Sequence, residues 1–573
     1  MPSPVFTNMQ NEAAKSLTLT VGAKRLLRTL HQAKTSMESE AGEEIPRIHV
    51  SELISKMAFY YEKIRNSVDY REEYLLRKGA IVRILKRQLV IEGSLTGQKE
   101  EDPFKLAKNL LVELIRAGYL SNGQLPESKI DDLAAILYRY LFLRKRAINK
   151  IVNSGRFLNK NIKRLNDEND ARSLVTAWLI GMAASEIEET LSYNPATEAF
   201  VTEMFNVLKR SIVLPADLPF EGDLPIQIYL SIYRNFLKLD DQDVLAYILF
   251  RYYYPEWSQA DEALINRIAD QLSDLRLATE TQLNHPLRPQ LSVIAFRYNV
   301  YFQVLKDVLE EGPETVYNDI VEDPRSFPRK IKAACEKRYA KAKSKLWHSA
   351  VRSIIYIFLT KSVFVVLLEV PAIKFFGEQA NSWSLAMNVS FPAVLLFFAV
   401  ALTRLPSDAN TDQIVKGVEE VMFEEKARKQ PIILRQPSRR GAAINVIFTI
   451  IYAATFFLSF GVVVWFLRQI QFSWVSVIIF LFFLAFAGFF AIRIKRGVKS
   501  LVVVEPKENI FTFLWSFFYI PVISTGKWLS GKFRSINIFV FILDFIIEAP
   551  FKVFVAVAEE WTKYIKERRE KID

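Results

Sequence analysis

One cysteine, Cys335, in a chain of 573 residues leaves no partner for an intramolecular disulfide and no set of thiolates for a metal. The large soluble part of the chain is therefore expected in a reducing compartment. Histidine is almost as scarce: His31, His49, His285 and His348 are the whole complement, none has a second histidine at i+3 or i+4, and zinc-ligand spacing is absent. Ordinary core or surface histidines are the simpler account. Glycine is sparse too, and no glycine loop is placed to cradle a phosphate after a strand. Thr525-Gly526-Lys527 lacks the earlier glycine and runs into Trp528, so it reads as part of a flexible basic loop. No G-x-S-x-G elbow and no convincing alternating strand pair occur. The usual signatures of nucleotide-binding, serine-nucleophile and zinc chemistry are thus missing, and no cofactor is expected.

What the chain has instead is four long apolar runs. Ala350 to Phe376, Ser384 to Leu402, Ala442 to Leu467 and Phe472 to Ile494 each match the roughly 20 residues a spanning helix needs. They predict a polytopic membrane protein with two transmembrane hairpins. The net charge of +12 follows the same geography. From Ala350 to Asp573 there are 26 Lys and Arg against 17 Asp and Glu, and residues 329–348 add eight basic residues against Glu336 alone. What precedes them is slightly acidic. Phosphate binding needs a concentrated basic surface, so nucleic acid is not an expected partner, whereas the lipid bilayer is.

Positive charge also orients the spans. Lys341, Lys343 and Lys345 stand before the first span, Arg404 to Arg440 fill the linker between hairpins, and Arg493, Lys495, Arg496 and Lys499 follow the fourth. The two tight connections offer only Lys374 and Arg468. Basic flanks resist translocation, so the N-terminal region, the linker and the end of the fourth span are expected in the cytoplasm. Trp383, Trp465 and Trp474 then cluster at the outer interface. Met1 to Thr20 lacks the apolar core of a signal peptide, and no cleavage is expected.

Residues 44–328 carry helical periodicity almost throughout, with Pro, Gly and Asn at the joints. The expected fold class is all-α. The predicted organisation begins with a flexible or weakly helical segment over 1–43, a cytoplasmic all-helical domain over 44–328 and a basic juxtamembrane stalk over 329–348. A first hairpin over 349–404, a charged linker over 405–441, a second hairpin over 442–495 and interfacial helices with a basic tail over 496–573 complete it. With no Pro or Gly between Pro328 and Pro371, the stalk is expected to run into the first span without a break. One helix is predicted over Ala260 to Ala278. Near the C-terminus, Ile510 to Ile520 is too short to cross and is stopped by Pro521, so an interfacial segment is expected. Ile536 to Val557 carries Asp544, Glu548 and Lys552 as one polar stripe and is read as an in-plane helix.

Ionisable and amide groups inside the spans are the first functional candidates, because charge in hydrocarbon is costly. Lys361 and Glu369 lie in the first span, Asn388 in the second and Asn445 in the third, with Asp544 and Glu548 as further members of a polar route. Eight residues at about 100° each set Lys361 and Glu369 roughly 80° apart, on one broad face without stacking. Lys341, Lys343, Lys345, Lys527, Lys532 and Arg534 are candidates for contact with anionic headgroups. Asp170 and Asp241 are expected as helix caps rather than metal ligands, and the aromatic run Tyr247 to Trp257 as core packing. Lys332 and Arg338 beside Cys335 bear on a regulatory thiolate, but the expected reading of this residue is a bystander cysteine. No catalytic set emerges. The expected function is a non-enzymatic membrane protein, in a bacterial inner membrane, whose helical domain binds a protein partner and whose bundle anchors it and is compatible with a homo-oligomer. The alternative is a transporter or channel component with its polar route around Lys361 and Glu369.

Overall fold

Leu106, Leu110, Leu111, Leu114 and Ile115 recur at helical spacing and are all buried, and the same rule builds most of the chain. The computed structural model describes residues 17–40, 46–50, 62, 73–95, 102–154, 168–310, 312–323, 326–378, 382–437, 441–504, 510–535 and positions 557, 561, 564 and 565. Its early helices are α1 (Val21–Glu40), α2 (Glu73–Leu95), α3 (Pro103–Arg116), α4 (Lys129–Ser154), α5 (Glu168–Leu191) and α6 (Pro195–Ser211). After the two-residue strand β1 (Ile212–Val213) come α7 (Leu224–Asn235), α8 (Gln242–Tyr253), α9 (Glu262–Asp270), α10 (Leu272–Leu283), α11 (Arg288–Glu310) and α12 (Pro313–Glu322). Then follow α13 (Ser326–Phe364), a π turn (Val365–Glu369), α14 (Val370–Phe375), α15 (Ser382–Ala401), α16 (Asp408–Met422), β2 (Ile432–Ile433), α17 (Ala442–Gln469), α18 (Trp474–Lys499) and α19 (Ile510–Ser535). The fold is all-α, and among the described residues four helical stretches are long and apolar enough to cross a membrane: Ser326–Phe375, Ser382–Ala401, Ala443–Gln469 and Trp474–Lys499.

Local chemistry sets the helix starts. Asp102, Asn194, Asp241 and Asp261 each accept a hydrogen bond from a backbone N–H of the first turn, and Pro103 and Pro195 occupy opening positions where the missing N–H costs nothing. Asp170 differs from expectation: α5 begins at Glu168, so Asp170 lies inside its first turn. The helix expected over Ala260 to Ala278 is two helices, parted at Gln271.

Contacts divide the chain into two compact units. The first comprises Met1–Leu27, Val300–Lys429 and Gln436–Asn537; the second comprises Arg28–Asn299, Gln430–Arg435 and Ile538–Asp573. The second unit buries Leu, Ile, Phe and Tyr side chains from α2 to α10, each contributing ~1.5–3 kcal/mol when withdrawn from water. It also recruits part of the charged linker. β2 pairs in parallel with β1, Ile212 opposite Ile432 and Val213 opposite Ile433, and Gln290 exchanges hydrogen bonds of 2.7 and 2.8 Å with the Arg435 backbone.

In the first unit α13 runs unbroken from the basic stalk into the first span. Leu346, Ala350 and Ile357 of α13 pack with Leu396 and Val400 of α15 and Ala491 and Val498 of α18. Below the span, Arg338 binds Gln303 and Asp307, and Lys332 lies 2.9 Å from Asp412 of α16. Gly417 on α16 faces the Tyr301 ring so closely that an added Cβ would lie 2.3 Å from it. Buried Asn410 closes this collar: its amide donates to the Leu501 carbonyl and the Tyr339 hydroxyl, and its oxygen accepts from Val503 and Val504.

The C-terminal part departs from the sequence reading. Pro521 does not stop the helix that begins at Ile510, and the stretch expected as a basic loop lies within α19. The reason is tertiary: at Gly526 an added Cβ would sit 2.0 Å from the Ala485 carbonyl oxygen, so only glycine lets α19 approach α18 this closely. Asp544, Glu548 and the in-plane helix expected over Ile536 to Val557 fall outside the described residues, apart from position 557.

Candidate functional site

The strongest concentration of buried polarity in the apolar spans forms around Glu369. Pro371, two residues further on, explains how the chain reaches it. Proline lacks an N–H to give to the carbonyl four residues back and its ring crowds that carbonyl, which here belongs to Leu367. The helix responds with the π turn Val365–Glu369, closed by the Val370 N–H donating to the Val365 carbonyl. The turn absorbs one residue, so Lys361 and Glu369 are separated as about seven α-helical positions would be, within ~20° of two full turns. They therefore align, where ideal geometry puts them well apart.

Lys361, Glu369 and Asn388 are each 0% exposed. The Lys361 ammonium lies 3.9 Å from Glu369 Oε2 and 4.0 Å from the centre of the Phe483 ring. Glu369 Oε1 accepts from the Asn388 amide at 2.5 Å and from the Ser476 hydroxyl at 2.7 Å. Ser476 sits in the first turn of α18, which Ser473 caps by accepting from its backbone N–H at 3.0 Å. A carboxylate at that position meets the positive end of the helix dipole as well as two donors and a cation. Three atoms of the cluster, Lys361 Nζ, Glu369 Oε2 and Asn388 Oδ1, have no hydrogen-bond partner.

Of the sequence candidates the structure thus brings together Lys361, Glu369 and Asn388. Asn445 is exposed on α17 and takes no part. Lys341, Lys343 and Lys345 are exposed on the stalk and Lys527 on α19, while the side chains of Lys532 and Arg534 lie outside the described residues. Ser476 and Phe483 were not singled out by sequence; an S-x-x-S pair opening an apolar helix, Ser473 and Ser476, is the available signal.

Elsewhere, Cys335 is fully buried and burial pushes its thiol up to about 11, outweighing the Arg338 charge, whose guanidinium is held by Asp307. The thiolate is therefore disfavoured. The aromatic run divides: Tyr247, Phe250 and Trp257 are buried, while Tyr252 and Tyr253 are exposed. Beside them α5 presents three engaged acids. Glu188 binds Arg77, Glu186 accepts from Arg139 and the Trp257 indole, and Glu189 accepts from Tyr247 and Arg251. Among the described residues no group of three His, Cys, Asp or Glu is placed to hold a metal ion.

A helical protein with four membrane-crossing stretches and a second, helical unit is an integral membrane protein. Compared with protein families, curated proteins and solved structures, the chain matches none.

Proposed function

We propose that this is a non-enzymatic, membrane-anchored interaction protein whose second unit binds a protein partner in the cytoplasm of a bacterial cell. The observation that carries the reading is the enclosure of the polar cluster around Glu369 in the bundle. Lys361, Glu369 and Asn388 expose no surface: Glu369 accepts from Asn388 of α15 and from Ser476 of α18 and lies 3.9 Å from the Lys361 ammonium of α13, as groups that hold helices together do. The cytoplasmic placement rests on the basic flanks, and exposed Lys341, Lys343 and Lys345 suit an anionic headgroup layer.

A second reading, a transporter or channel component, draws on the three cluster atoms without hydrogen-bond partners and on the π turn beside them, a feature frequent at functional sites. Purified full-length protein in sealed liposomes tests the two. The anchor predicts no proton, sodium or potassium flux above that of protein-free vesicles. Flux that disappears in Lys361→Ala or Glu369→Ala would establish the second reading in its place.

A further inference from the structure

The second unit holds a cavity of about 200 Å³ whose lining joins α2, α5, α6, α7 and α8. Leu237, Val244 and Ile248 supply apolar surface, Tyr74, Tyr233 and Tyr247 supply aromatic walls, and Glu189 and Glu198 supply the charge. Among the described residues no lysine or arginine lines it. The two carboxylates are not equivalent. Glu189 is engaged by the Tyr247 hydroxyl at 2.6 Å and by Arg251, which reaches both of its oxygens at 2.8 Å. Arg251 is also the cation whose field reaches Glu198, and it is already committed. Glu198 has no side-chain hydrogen bond among the described residues, and its burial raises its pKa above the ordinary carboxylate value. Its position in the first turn of α6 accounts for an acid there, but not for an acid facing a tyrosine-walled space.

We propose that this cavity binds a small organic ammonium ion, with Glu198 as its counter-ion and tyrosine faces as its walls. A carboxylate that still has acceptor capacity and electron-rich rings around an apolar floor favour a cation over a neutral or anionic guest. The volume lies below the roughly 300–1,000 Å³ of sites for drug-sized ligands, so the guest is small. The Tyr229 and Tyr233 hydroxyls lie 3.0 Å apart and bond to each other, so the charge that discriminates among guests comes from the carboxylate of Glu198. Tyr193, 65% exposed and part of the lining, marks the open side.

The test titrates detergent-solubilised full-length protein with n-butylammonium chloride, n-butanol and sodium butyrate, followed by calorimetry at near-neutral pH. Butylammonium is expected to saturate, with the alcohol and the carboxylate at least about tenfold weaker. Glu198→Gln keeps the shape and removes the charge; it is expected to weaken butylammonium about tenfold or more and to abolish the preference over butanol. Thr197→Phe, which narrows the cavity and leaves Glu198 in place, is expected to block binding and serves if the first variant fails to fold. No saturable butylammonium binding up to about 10 mM, butanol binding as tightly as the ammonium, or unchanged binding in either folded variant would overturn the proposal.

Discussion

If Lys361 and Glu369 act as a coupled pair, neutralising either should harm the protein more than neutralising both. Glu369→Gln leaves the Lys361 ammonium 0% exposed with the Phe483 ring and no counter-charge. Lys361→Met leaves the Glu369 carboxylate with Asn388, Ser476 and the α18 N-terminus but no cation. Breaking a buried pair costs ~3–5 kcal/mol in soluble cores. In lipid the cost is smaller because polar groups of the unfolded protein also find partners, so ~2 kcal/mol for each single variant is the working value. The double variant carries no charge in this cluster and retains an amide to bond Asn388 and Ser476, so a loss of ~1 kcal/mol is expected. The coupling energy is then ~3 kcal/mol. At ~2–4 °C per kcal/mol, each single variant should lower the apparent Tm by roughly 4–8 °C, with the double variant above both. Thermal melts in detergent, followed by tryptophan fluorescence, measure this. Additive losses, with the double variant melting below either single one, would refute the coupling.

Three further outcomes follow from other contacts. Asn410→Ala removes four hydrogen bonds and leaves the Val503 and Val504 amides without their acceptor, a loss of ~2–4 kcal/mol; hydrogen exchange at those amides should accelerate at least about tenfold, and unchanged protection would count against the collar. Gly526→Ala places a methyl 2.0 Å from the Ala485 carbonyl oxygen and should cost ~1–3 kcal/mol; a disulfide introduced through Gly488→Cys and Val522→Cys, in a Cys335→Ser background, should form less readily in its presence. Cys335, with its thiol pushed up to about 11, should be about one part in a thousand thiolate near pH 8 and alkylate slowly in the folded protein. Because its folded pKa lies above the unfolded one, its contribution to stability is whole below the unfolded pKa and is lost as pH rises toward about 11; rapid alkylation at neutral pH would contradict the buried environment.

The spans were legible because lipid imposes length and apolarity on every residue of a crossing helix; the ends of the second, third and fourth stretches fall close to the expected ones, while the helix of the first begins just ahead of the stalk, at Ser326. Lys361, Glu369 and Asn388 were legible for the complementary reason, that polar groups stand out against an apolar run. Their alignment was not. Pro371 is plain in the sequence, but its effect on register appears only once the helix has relieved it with a π turn. Asn445 illustrates the opposite difficulty: α17 is apolar on every side, so nothing in its sequence distinguishes a packed face from an exposed one. Pro521 and Gly526 read locally as breakers, and only the close approach of α19 to α18 shows that a glycine there serves helix packing. The strand β2 had a fainter signal in the short apolar stretch Ile432-Ile433-Leu434 of a charged linker, but its partner β1 lies far away in sequence.

Taken along its length, α13 shows why the polar cluster matters to the first unit even without any flux. This helix of 39 residues is about 58 Å long at a rise of ~1.5 Å per residue. Its lower part is fixed by Lys332 to Asp412, Arg338 to Asp307 and Tyr339 to Asn410. In water, apolar burial would also hold the upper part, but lipid solvates leucine and phenylalanine as well as a neighbouring helix does. Apolar contacts in the cluster that holds Ile357 and Leu396 therefore shape the interface without strongly opposing rotation. Directional bonds do oppose it. Turning the first span by one residue, about 100°, would swing Glu369 away from Asn388 and Ser476 together and leave its charge in hydrocarbon. The collar and the cluster thus fix the same rod at two levels, and rotation set at the stalk is held at the far end of the span.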